Sequence, residues 1–182
     1  MTKILIAIYG FLASSVSRFF YGPWSRFLRW LLEQKYTQLP LLLPWKTTDL
    51  LDFFKQCEWV PDRWWQLLDQ ISKPEKFYET QRGDCDEYAV FAGAVMSDKN
   101  CTLLSVQWYN PKGEGFFKKF SGHNVCVWRE ANGYWHIGNW GIMGPFATQE
   151  KLIASIIQDN VYASHAFRNI RSLKWIGKKI PF

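Results

Sequence analysis

Histidine is scarce in this chain: 3 in 182 residues, at positions 123, 136 and 165. There is no Cys-x-x-Cys pair and no His-x-x-x-His pair, so the usual spacings of a structural zinc site are missing. The cysteines are Cys57, Cys85, Cys101 and Cys126. Their even number permits two disulfides, but the spacing fits no small disulfide scaffold. With 48% hydrophobic residues, a chain of this size can hold a core without covalent staples and is not a disordered segment. No repeat and no low-complexity linker divides it, which with its length points to one domain. The apolar stretch ILIAIYGFLASSV (4–16) falls short of the roughly 20 residues that a spanning helix needs.

Aromatic residues and positive charge, by contrast, are plentiful. Trp, Phe and Tyr make up 18% of the chain and the net charge is +6. Surplus lysine on a soluble protein accounts for the charge. It would also suit an anionic partner. Near the C-terminus, Arg168, Arg171, Lys174, Lys178 and Lys179 alternate with Phe167, Ile170, Leu173, Trp175 and Ile176. That pattern suits a strand pair or an amphipathic surface element and matches no nucleic-acid motif, so no nucleic-acid partner is expected. Residues 1–36 allow three readings. Stretch 4–16 resembles the apolar part of an export signal, with Leu12-Ala13-Ser14 as a weak cleavage site. The aromatic, arginine-bearing segment after it suits an interfacial membrane anchor. Both could also be ordinary amphipathic helices, broken at Gly22-Pro23 and packed on the domain. A cytoplasmic or peripherally membrane-associated location is expected ahead of export.

The pattern then divides into residues 1–45, a hydrophobic and amphipathic helical segment, and 46–182, the main domain. Stretches 47–57 and 61–71 read as helices, with Thr48 capping the first and Pro61 at the first position of the second. After Asn100 the period changes. CTLLSVQWY (101–109), HNVCVWRE (123–130) and YWHIGNW (134–140) read as strands, the last two joined by an Asn132-Gly133 hairpin turn. GIMGP (141–145) reads as a turn, and 148–160 as a helix capped by Thr148. Helices followed by an antiparallel sheet give the class α+β.

The segment GDCDEYAVFAGAV (83–95) carries the chemistry. Asp84 has the character of an N-cap and Glu87, three residues on, completes a capping-box pattern. Cys85 is then the first residue of a helix, where free N–H groups and the positive end of the helix dipole favour a thiolate. The same N–H groups could hold an oxyanion. A nucleophilic thiol also needs an imidazole, and the imidazole an acceptor to orient it. His123, at the start of one hairpin strand, and Asn139, near the end of the next, come within a few residues of pairing when counted from the turn. His136 lies nearer the turn and His165 follows the last helix.

GDCDEYAVFAGAV, GHNVCVW and NGYWHIGNWG, in that order, resemble the core of the transglutaminase-like superfamily, which includes bacterial transglutaminase-like cysteine peptidases. The resemblance covers roughly residues 60–145. It implies a papain-like core, with Cys85 at the N-terminus of a central helix packed on an antiparallel sheet. It also implies Cys85 as nucleophile, His123 as general base and acid, and Asn139 as orienting residue. Asn139 stands four residues after Trp135, where the family usually has aspartate; papain-type peptidases use asparagine there. The reaction implied is hydrolysis of a peptide or amide in a polypeptide substrate through a Cys thioester. Transamidation, or a non-catalytic binding or scaffold role, are the alternatives. The Cys85 amide and Gln81 are candidate oxyanion donors. No cofactor is required, although some relatives bind calcium at acidic residues beside the nucleophile, here Asp84, Asp86 and Glu87. No glycine-spaced calcium loop accompanies them.

Overall fold

A computed structural model of the chain describes residues 23, 25–32, 44–61, 71–109, 120–157, 162–169 and 175–179. The sequence expectations at 4–16 and for the body of the 61–71 helix lie outside these residues. Helix α1 (Ser25–Leu32) comes first, then α2 (Thr47–Phe54), strand β1 (Glu58–Trp59), α3 (Pro74–Thr80), β2 (Arg82–Gly83) and α4 (Cys85–Val95). A 3-10 turn leads to β3 (Thr102–Tyr109), β4 (Phe120–Glu130), β5 (Gly133–Gly138) and β6 (Gly141–Phe146). Helix α5 (Gln149–Ile157) and strands β7 (Tyr162–Asn169) and β8 (Trp175–Lys179) complete the order. The class is α+β.

The main sheet has the order β6-β5-β4-β3-β7-β8 with every neighbour antiparallel. Helix α4 lies against one face. After its acidic first turn it is apolar and largely buried, and the small Ala89, Ala92 and Gly93 let its backbone sit close to its neighbours. Leu103, Cys126, Trp128 and Ile137 of the sheet join it in one core with Leu50, Phe53, Phe54, Ile71 and Phe77. Much of the aromatic content is spent here: Phe53, Phe54, Phe77, Tyr88 and Phe91 pack with ring centroids 4.7 to 6.4 Å apart. On the opposite face, Leu104, Val106, Val125 and Val127 pack with Leu152, Ile153 and Ile156 of α5. The sheet is therefore the middle of three layers.

Several local expectations shift. Lys46, not Thr48, precedes α2, and Thr48 lies within it. A further helix, α3, follows the 61–71 segment, with Pro74 at its first position, where the missing N–H costs nothing. Segment 141–145 is strand rather than turn, because Gly141 pairs with Gly138 and the reversal is made by Asn139 and Trp140 alone. Strand β4 begins at Phe120, so His123 lies inside it rather than at its start. The basic C-terminal segment is the strand pair β7–β8.

The start of α4 is fixed by hydrogen bonds. Asp86 N–H donates to Asp84 Oδ1 (3.0 Å) and Asp84 N–H to Glu87 Oε2 (2.9 Å), a complete capping box. Glu87 Oε1 also accepts from Ser72 N–H (2.9 Å), which ties in the segment preceding α3. Gly83 makes room for this carboxylate: a Cβ there would lie 2.6 Å from Glu87 Cβ. Burial first, then the Asp84 carboxylate, push Glu87 up to about 8, against the amide donors that favour its charged form.

Replacing Glu87 by alanine strands two buried N–H donors and should cost on the order of 3 kcal/mol in urea unfolding. Glu87→Gln, which keeps one acceptor, should lose less. Gly83→Ala should cost about 1–3 kcal/mol through overpacking against Glu87. An unchanged urea midpoint in Glu87→Ala would remove the anchoring role.

Candidate functional site

Cys85 is half-buried at the first position of α4, and its Sγ points toward Asp86 Oδ1 at 3.6 Å. Asp86 is buried, and its Oδ1 also accepts from Asn124 Nδ2 of β4 in a short contact. Donor atoms of Asp84, Cys85 and Asp86 lie within 4.8 Å of one another. The acidic set proposed for calcium is divided differently: Glu87 is turned inward onto the Ser72 and Asp84 amides and stands apart from that cluster. Gln81 closes α3 in the left-handed region (φ 52°), and its carbonyl accepts from Glu58 N–H (2.8 Å). That bond extends the short parallel pair β1–β2, which delivers Gly83 and Asp84 to the helix start.

His123 and Asn124 are neighbours on β4 and face opposite ways. Alternation along the strand groups Asn124 with Cys126 and Trp128 on the α4 side, and His123 with Val125 and Val127 on the α5 side. The paired register runs from Glu130↔Gly133 to Cys126↔Ile137. Continued at the same step, it sets Asn139 opposite Asn124 and Trp140 opposite His123. The rings agree: the His123 and Trp140 centroids are 3.8 Å apart and nearly parallel, at 14°. The β5 residue on the His123 side is Gly138, where a Cβ would lie 3.7 Å from His123 Nε2.

Neither His123 Nε2 nor Asn139 Oδ1 makes a bond of the relay expected from Cys85 through His123 to Asn139. His123 Nε2 and Asn139 Oδ1 are both buried and have no hydrogen-bond partner. The side chain that β4 contributes beside Cys85 and Asp86 is Asn124. Among the described residues the sequence reading had passed over Asn124, Gly138 and Trp140. Their placement follows only from the actual register, in which the turn closes on Ala131-Asn132 and Gly133 already pairs with Glu130. His136 is also buried, with neither ring nitrogen bonded, and stacks on Phe146 at 5.8 Å and 6°. Burial holds both imidazoles down to about 4, and for His123 the neighbouring His136 adds a smaller push in the same direction. The side chain of His165 is outside the described set; its backbone in β7 pairs with Val106, which also pairs with His123.

No protein-family description matches this chain, and no curated protein sequence matches it.

The depressed imidazoles set a sign for acid stability. Below about pH 6.5 the unfolded chain takes up protons at His123 and His136, while the folded chain stays neutral there until about 4. Their contribution is complete above pH 6.5 and is lost as pH falls toward 4, on the order of 3 kcal/mol per histidine. Glu87, raised to about 8, acts oppositely: its contribution is complete below 4.5 and is lost as pH rises through 8. The comparison is therefore wild type against His136→Leu. The variant should lose less stability between pH 6.5 and 4 in chemical denaturation. An identical pH slope would show that His136 is not held neutral.

Proposed function

We propose that the protein is a thiol hydrolase of the transglutaminase-like kind, acting on a peptide or amide carbonyl with Cys85 as nucleophile. The observation that carries this reading is the position of a half-buried thiol as the first residue of a buried, fully capped helix. The positive end of the helix dipole at such a start would favour the oxyanion of a tetrahedral intermediate. The Cys85 sulfur would form a bond to the carbonyl carbon. The C–N bond would then break, with the departing amine taking the proton first removed from the thiol. Water would attack the resulting thioester, release the acid and restore the thiol. His123 is the imidazole the resemblance assigns to these proton transfers, and Asn139 its orienting residue. An amine in place of water would make the reaction transamidation.

A second reading is favoured by the unbonded His123 Nε2 and Asn139 Oδ1 and by the Asn124–Asp86 contact in their stead. On that reading the fold serves as a non-catalytic binding scaffold.

Iodoacetamide labelling with peptide mapping near pH 7 separates the two. Burial pushes Cys57 up to about 11 and Cys126 well above the ordinary thiol range, so both should label slowly. A catalytic Cys85 should label at least about tenfold faster than either, because the thiolate is the reacting form. His123→Ala should slow it. Slow labelling of Cys85, at the rate of the buried thiols, would remove the hydrolase reading and leave the scaffold.

A further inference from the structure

The strongest surface feature lies far along the chain from Cys85 and is independent of its chemistry. Helix α1 has the sequence SRFLRWLL, with no acidic residue in its first turn or anywhere else. At 100° per residue, its five apolar positions span one continuous arc of about 200°, and positions 25, 26 and 29 the remainder. Leu28 is buried, while Phe27 is 47%, Trp30 63%, Leu31 53% and Leu32 56% exposed. Half of the eight large exposed hydrophobics among the described residues thus sit on one eight-residue helix. Phe27 and Trp30 also touch, with centroids 6.1 Å apart, so the exposed surface is contiguous rather than scattered.

We infer that α1 is a membrane-surface binding element that lays its Phe27–Trp30–Leu31 face into the interface of an anionic lipid bilayer. The charge pattern selects this occupant over a protein groove. The polar arc holds two arginines and no carboxylate, which complements lipid phosphates. A basic face opposite an apolar face carrying Trp, Phe and Leu is the pattern of a helix lying in a membrane interface. Trp30 lies next to Arg26 on the wheel, at the border of the apolar arc, where an indole meets headgroups and its N–H stays wet. The geometry excludes spanning by α1 itself: eight residues rise only about 12 Å against a hydrocarbon thickness of about 30 Å. Among the described residues no helix is long and apolar enough to cross a membrane. The element lies on the surface, held by apolar insertion and by arginine–phosphate attraction together.

The test is co-sedimentation of the full chain with vesicles of phosphatidylcholine alone, or of phosphatidylcholine with about 30% phosphatidylserine. The chain should bind the mixed vesicles and bind neutral ones more weakly, with added salt narrowing the difference. Phe27→Ser with Trp30→Ser should weaken binding at least about tenfold, because two large apolar groups no longer insert. Arg26→Gln with Arg29→Gln should reduce the preference for anionic vesicles while retaining residual binding. Circular dichroism should be unchanged in both variants, since Arg26, Phe27 and Trp30 are solvent-exposed and position 29 lies on the polar arc of the helix. Failure of the wild type to sediment with either vesicle overturns the proposal. So does equal binding by the Phe27/Trp30 variant. Sedimentation velocity covers the other occupant: a wild-type dimer that the same variant dissociates, without vesicle binding, would assign the face to a second copy and overturn the membrane reading.

Discussion

The carboxylate of Glu87 is the interaction on which the site region depends. It accepts from Ser72 N–H on the approach to α3 and from Asp84 N–H at the start of its own helix. A helix whose N-terminus is buried must find acceptors for its first N–H groups, and α4 begins in a place poor in water. Asp84 and Glu87 supply those acceptors from within the same four-residue turn. The cost is a buried carboxyl group whose charged form burial opposes. Gly83 makes the arrangement possible, since any larger residue would meet Glu87. With the start of α4 pinned, the aromatic layer of α2 and α3 can close over one side of the helix and the sheet over the other.

The same sheet governs what Cys85 can meet. Successive residues of β4 serve different layers: Asn124 reaches Asp86 on the α4 side, whereas His123 lies with Val125 and stacks under Trp140. A shift of one residue in register would exchange them, because side chains alternate with a period of two. The hydrophobic residues leave no freedom for that shift. Cys126 and Trp128 complete the α4 core, and Val125 and Val127 complete the α5 core. The position of the imidazole is thus a consequence of how two cores share one strand. The face it occupies is aromatic and aliphatic, which explains why both imidazoles are held uncharged.

Features set by short-range chemistry were legible in the sequence. The capping box at Asp84 and Glu87, a hairpin whose turn lies at Ala131-Asn132, one residue before the expected Asn132-Gly133, and the Thr148 cap, which receives Lys151 N–H, all follow from residues a few positions apart. The β7–β8 pair was legible as one of two patterns. Features set by partners distant in the chain were not. Glu87 was readable as a cap but not as the acceptor of Ser72, 15 residues earlier. The β1–β2 pair is two residues per strand, too short to leave a periodic signal. GIMGP has the glycine and proline of a turn, yet its strand state comes from pairing along the open edge of β5, which accepts a proline that a central strand would exclude. The nearness of His123 to Asn139 was inferred from chain counting alone. Which face each side chain takes depends on parity, and there the count needs to be correct to a single residue.

The distribution of charge ties these observations together. Burial opposes charge in the interior: it raises Glu87 and holds both buried imidazoles low enough to be neutral at pH 7. Around Cys85, Asp84 Oδ1 accepts from an amide and Asp86 Oδ1 from Asn124. Little of the net positive charge can therefore reside inside, and it is carried at the surface, where Arg26 is exposed on α1. Desolvation explains the division, because a buried charge without a partner costs more than the loss or gain of a proton. The same physics gives the exposed apolar arc of α1 its meaning. On the membrane reading of α1, the phenylalanine, tryptophan and leucine exposed beside arginine would meet a medium apolar within and anionic at its boundary.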